Sequence, residues 1–112
     1  MKHLHARLLV TLGIAFAALT SGAAQLPAGA TAQVIIDNFT FAPATLTIRA
    51  GTAVTWTNRD DMPHTVVSTD KSFRSEALDT GYTFTHTFAK AGTFVYFCSI
   101  HPRMTGRVVV EK

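Results

Sequence analysis

One short stretch holds the most reactive side chains of this 112-residue chain. In FVYFCSIHPRMTGRVVV, residues 94–110, the single cysteine, Cys98, is followed by His101 and then by Met104. A thiolate, an imidazole and a thioether are soft and borderline donors of the kind that hold a transition metal. In a strand, 98 and 104 share a face and 101 points away, and six residues of strand span roughly 20 Å, too far for one small ion. In a helix, positions three apart meet but positions six apart diverge, and Pro102 drives His101 out of the α region. The three donors converge only if the segment doubles back as a tight loop. Strand-like residues before it, Gly106 after it and the return through Val108 to Val110 provide for one.

A fourth donor is needed. His64, which follows Met62-Pro63 at the start of a strand-like run, is the obvious candidate, and His86 is the other choice. Two histidines and a cysteine in a trigonal set, with a weak axial methionine, describe a blue-copper electron-transfer site. Cu(II) favours imidazole and Cu(I) favours thiolate and thioether, so a rigid mixed set serves both states. Zinc sites combine cysteine, histidine and carboxylate instead of methionine, and the absence of C-x-x-C-H excludes covalent haem. Plainer readings compete. A lone cysteine packs as a small hydrophobe and methionine fills core gaps, but neither explains the shared spacing. His86, mid-strand among Tyr82, Phe84 and Phe88, reads as structural. Trp56, Phe39, Phe84 and Phe88 read as core, and Asp60-Asp61 as a solvated turn. Cys98 and His101 could form a nucleophile–base pair, but the short chain offers no evident group to orient the histidine.

The elements that must position these residues are all strands. QVIID (33–37), TLTIR (45–49), AVTWT (53–57), HTVVS (64–68), YTFTHTF (82–88), residues 93–98 and residues 107–111 read as strands, with turns at Ala42-Pro43, Ala50-Gly51, 58–61 and 90–92. Val54 and Trp56 share a face, as do Tyr82, Phe84, His86 and Phe88. Residues 69–80 are less regular, with Phe73 and Leu78 as apolar anchors. Short strands at modest intervals predict a β-sandwich. Ahead of them, Lys2, His3, His5 and Arg7 precede an apolar run from Leu8 to Leu19 and the small residues TSGAAQ. That is the layout of a secretory signal peptide, expected over 1–24, and the run is too short to span a membrane. A linker over 25–31 and one domain over 32–112 complete the expected organisation. Cleavage removes His3 and His5 from the candidate ligands. It also removes Lys2 and Arg7, leaving eight basic against seven acidic residues, a net charge of +1. Nothing in that balance points to nucleic acid. An exported domain this small often relies on disulfides; with one cysteine it forms none internally, and a bound metal would protect the thiol from oxidation.

With these residues assembled, the sequence resembles the cupredoxins, the small blue-copper proteins, most closely the amicyanin group and more loosely pseudoazurin and plastocyanin. MPHTVV (62–67) and the segment from Gly92 to Val110 carry the resemblance, which extends over nearly all of the domain. The C-x-x-H-x-x-M loop with Pro102 after the histidine is the short ligand loop of amicyanins. The resemblance implies an all-β, eight-stranded Greek-key sandwich with one type 1 copper, His64, Cys98 and His101 as equatorial ligands and Met104 as axial ligand. It implies a soluble periplasmic carrier of single electrons and not an enzyme. The carrier would be a monomer, with His64 buried and His101 reaching the surface through a patch of Met62, Pro63, Ile100 and Pro102. Redox proteins would dock there, a dehydrogenase as donor and a c-type cytochrome as acceptor. Two positions depart from the amicyanin pattern. Thr65 stands where an asparagine ties the ligand loops together, and Arg103 replaces an apolar residue beside the exposed histidine. The alternative function is periplasmic copper trafficking with the same ligands; a repeated Met/His array would favour it, and the sequence has none.

Overall fold

The computed structural model describes residues 29–112 and, before them, Gly13 alone. The expected signal peptide, apart from Gly13, and the start of the linker lie outside the described residues. Eight strands follow: β1 (Thr31–Asp37), β2 (Thr40–Ala42), β3 (Thr45–Arg49), β4 (Thr52–Asn58), β5 (Val67–Ser68), β6 (Thr83–Phe88), β7 (Gly92–Phe97) and β8 (Thr105–Glu111). They form two four-stranded sheets, ordered β2-β1-β4-β6 and β3-β8-β7-β5. This is the sandwich that the turn spacing predicted. β1 runs parallel to β4, and β3 parallel to β8; the other pairs are antiparallel. No helix among the described residues is long and apolar enough to cross a membrane.

The period of two along each strand decides what fills the space between the sheets. On β4, Thr52, Val54, Trp56 and Asn58 all point inward and are buried. Ile48, Tyr96, Val108 and Val110 come from the facing sheet. Trp56 meets Tyr96 edge to face at 5.4 Å, and Phe84 and Phe88 flank it at 5.7 and 6.3 Å. Large side chains buried in this way contribute roughly 2 kcal/mol each through removal of apolar surface from water.

Four expectations about strands and core need correction. Residues 40–42 form a strand where the sequence indicated only a turn; Phe41, opposite Ile36, is buried, and three residues are too few for alternation to register. The strand expected over 64–68 joins the sheet only at Val67 and Ser68. His64 instead exchanges both backbone hydrogen bonds with Leu78, at 3.1 and 2.7 Å, and Val66 N–H donates to the Ser75 hydroxyl at 2.8 Å. Tyr82 precedes β6 and is exposed instead of sharing its inner face. Phe39, expected in the core, is 45% exposed, because it sits in the turn between β1 and β2.

Gly106 shows how closely the Tyr96 ring packs over the neighbouring strand. It pairs with Tyr96 across β7 and β8, and a Cβ there would overlap the Tyr96 phenol oxygen and ring carbons. The ring is fully buried and cannot swing away. Gly106→Ala is therefore expected to cost about 1–3 kcal/mol by overpacking, seen as a lower urea midpoint at unchanged slope.

Candidate metal centre

Residues 98–104 connect β7 to β8, and the pairing of Phe97 with Thr105 closes the ends of this loop. Inside it, Met104 N–H donates to the His101 carbonyl at 2.9 Å and Cys98 N–H donates to the Met104 carbonyl at 3.0 Å. The doubling back that the C-x-x-H-x-x-M spacing demands is thus made by main-chain hydrogen bonds. Cys98 and Met104 are both buried, while His101 is half-buried.

The second contributing loop leaves β4 at Asn58, whose buried side chain acts as its spine. Asn58 Nδ2 donates to the carbonyls of Met62 and Leu78 at 2.9 and 2.8 Å, and its Oδ1 accepts from Asp60 N–H at 2.9 Å. The loop delivers His64, fully buried, against Cys98. His64 Nδ1 and His101 Nδ1 each lie 3.7 Å from Cys98 Sγ, and 3.3 Å from each other. The point equidistant from these three atoms lies about 2.1 Å from each, the length of a first-row metal's bond to imidazole or thiolate. Among the described residues, His64, Cys98 and His101 form the one group of three histidine, cysteine or acidic side chains that gathers in this way. His86 is elsewhere: it lies over Phe73 at 4.8 Å, and burial holds its pKa below the ordinary value.

Two residues outside the expected ligand set organise the centre. Asp60, expected to be a solvated turn residue, is buried. Its Oδ2 accepts from His64 Nε2 at 2.8 Å and from Phe39 N–H at 3.0 Å, while Oδ1 accepts from Asp61 N–H at 3.0 Å. The Phe39 N–H, then the His64 ring, hold its pKa down to about 2. An ionised carboxylate only accepts, so Nε2 carries the His64 proton and Nδ1 offers its lone pair to the donor triangle. A carboxylate four residues ahead of a histidine is indistinguishable from a polar turn by residue type alone. The second organiser is Phe39, whose ring stands perpendicular to both His64 and His101, with centroids 5.4 and 5.0 Å away. Its aromatic character had pointed to the core.

Thr65 performs the tying role that the resemblance gives to asparagine. Its hydroxyl accepts from Ser99 N–H at 2.7 Å and pairs with the Ser99 hydroxyl at 2.8 Å, while its own N–H points to Cys98 Sγ at 3.4 Å. Beside the centre, Phe39, Ile100, His101, Pro102, Arg103 and Met104 line a shallow depression of about 500 Å³. Met62 and Ile100 are exposed and Pro63 half-buried, but Met62 and Pro63 do not line that depression.

Burial alone would raise the Cys98 pKa, but hydrogen bonds, first among them that from the Thr65 N–H, outweigh it and bring it from 9.0 down to about 6. The metal-free protein is expected to hold a thiolate at neutral pH, ready to bind without first losing a proton. Because the folded pKa lies below the unfolded one, the thiolate's contribution to stability is full above pH 9.0, shrinks as pH falls and is gone below about 6. Thiolate absorbance of the metal-free protein should titrate with a midpoint near 6, and His101→Ala, which removes a ring nitrogen 3.7 Å from Sγ, should move that midpoint upward.

A family model described as a cupredoxin-like domain matches residues 8–110. The chain is 39% identical over 106 residues to amicyanin-alpha of Methylorubrum extorquens, covering 87% of this chain and 88% of that protein. It is 37% identical to the amicyanin of Paracoccus versutus over 80% of this chain and 70% of that one. Its structure is similar to a purple cupredoxin from Nitrosopumilus maritimus, with a TM-score of 0.70 and 39% identity over 71% of this chain and 99% of that one. The sandwich, the ligand loop and these likenesses agree: the chain belongs to the cupredoxin-like family, and copper is the metal its centre fits.

Proposed function

We propose that the chain is a soluble, periplasmic blue-copper electron carrier. In this reading His64 Nδ1, Cys98 Sγ and His101 Nδ1 would hold the copper, with Met104 as a fourth, weaker donor. The observation that carries it is the triangle of three donor atoms, 3.3 to 3.7 Å on a side, already assembled around a point with metal–ligand spacing. Copper, when bound, supplies one-electron chemistry between Cu(II) and Cu(I). The chain's own residues keep the surroundings fixed through that change. Asp60 orients the His64 ring, Thr65 and Ser99 lock the two loops together, and the Cys98–Met104 and Met104–His101 bonds brace the third side. Little then has to rearrange when an electron arrives or leaves.

His64 is sealed inside and His101 is half-buried beside an exposed apolar patch, so the His101 edge is the route for electrons. Met62, Pro63, Ile100 and Pro102 form the docking patch in this reading, with Arg103 at its rim. Such electron-transfer encounters bury little surface and are weak, which suits rapid exchange of partners. By family resemblance the donor is a dehydrogenase and the acceptor a c-type cytochrome. Export to the periplasm rests on the 1–24 segment.

Titrating the metal-free protein with Cu(II) tests this directly. An intense thiolate-to-copper absorption band should saturate at one copper per chain, with a narrow hyperfine splitting in the EPR spectrum. Cys98→Ala should abolish the band; a variant that stays intensely coloured refutes the ligand assignment. A pale complex of the unaltered protein, or tighter zinc binding, would refute the blue-copper reading, and rapid copper loss to a chelator would favour trafficking. Met104→Leu should retain copper and shift the reduction potential, and an unchanged potential would remove Met104 from the ligand set.

A further inference from the structure

The turn joining β1 to β2 contains a residue that the backbone disfavours. Asp37 pairs with Thr40, so Asn38 and Phe39 are the two central residues of a two-residue hairpin. Their φ angles are 48° and 58°. Positive φ at both central positions is the requirement of a type I′ turn, for which Asn-Gly is the favoured pair. Asn38 fits. Phe39 stands where glycine is expected, and a bulky residue at φ > 0 is an outlier. Strained residues persist when the surrounding structure holds them, and they cluster at functional sites.

What holds Phe39 is visible. Its N–H is fixed by the buried Asp60 carboxylate, the same oxygen that fixes His64. Its ring meets His64 and His101 edge-on, with both interplanar angles at 90°. The His64 and His101 rings are themselves 5.0 Å apart, so the three rings form a closed triangle. The outer face of Phe39 lines the depression beside His101. A glycine would satisfy the turn and leave this side of the two imidazoles uncovered.

We infer that Phe39 is a positioning residue, kept in an unfavourable turn conformation so that its ring clamps His101 and shields the copper centre from small anions in solution. This rests on the copper reading and adds a function to a position outside the ligand set. Replacement by glycine makes the Asn-Gly turn, so loss of the ring is separated from damage to the fold.

The test compares the unaltered protein with Phe39→Gly, Phe39→Ala and Phe39→Tyr, each first as metal-free protein and then loaded with copper. Metal-free Phe39→Gly is expected to unfold at a higher urea concentration than Phe39→Ala, since alanine keeps the backbone strain and glycine relieves it. With copper bound, azide should leave the spectra of the unaltered protein and Phe39→Tyr unchanged. In the glycine and alanine variants azide should produce a saturable change in the thiolate band and EPR spectrum. Transfer of copper to a chelator should be at least about tenfold faster in those two, by analogy with other supports of metal ligands. Glycine and alanine variants that resist azide and release copper at the unaltered rate would overturn the inference while leaving the copper reading intact. Absence of the thiolate band from the unaltered protein would remove both. Azide binding by the unaltered protein would show that the ring does not shield the centre.

Discussion

A single carboxylate oxygen, Oδ2 of Asp60, joins the parts of the centre that the sheets alone would leave loose. It accepts hydrogen bonds from the His64 ring and from the Phe39 main chain, which lie in separate turns at the same end of the sandwich. A buried charge without partners is strongly unfavourable, so this oxygen holds its donors with more force than an exposed one. Thr80 adds a third segment by donating to the Asp60 carbonyl at 2.6 Å. Three stretches distant in sequence are thereby registered against one another, and His64 acquires one tautomer and one orientation.

The remaining donors are held by a different device. Cys98 and Met104 sit at the ends of a hairpin loop whose internal hydrogen bonds are local, so its shape follows from its own sequence and the flanking β7–β8 pairing. Thr65 and Ser99 then connect that loop, which also carries His101, to the one that carries His64. The arrangement divides the work: the sheets set the distance between the loops, side-chain hydrogen bonds set their angle, and neither task falls on the metal. A donor set organised before binding needs little reorganisation between redox states, because a close-packed interior resists changes in shape.

Much of this was legible in the sequence. The alternation in TLTIR and AVTWT marks strands, and the spacing of Cys98, His101 and Met104 excludes both strand and helix for that segment. What escaped was local structure whose cause lies elsewhere in the chain. β2 is three residues long, below the length at which a period of two can be read. His64 was expected to open a strand, but its backbone pairs with Leu78, which no local pattern announces. Asp60 resembles any polar turn residue until the fold encloses it. Phe39 was read as core because aromatic residues usually are, and the hairpin signal was hidden because phenylalanine occupies the place of glycine. At both positions the usual residue preference is broken where the site is built.

The separation of the donors along the chain carries one more consequence. His64 and Cys98 are 34 positions apart, His64 in the loop that crosses from one sheet to the other and Cys98 in the loop that joins two strands of the second sheet. An ion gripped by both is a covalent-like cross-link over that span. Closing a loop of this length restricts the unfolded chain by roughly 4 kcal/mol in the chain-entropy picture used for disulfides. A domain with one cysteine thus gains from its ligand the staple that small exported domains commonly draw from a cystine. Loss of the ion would release that loop, making the lifetime of the folded chain depend on the supply of metal around it.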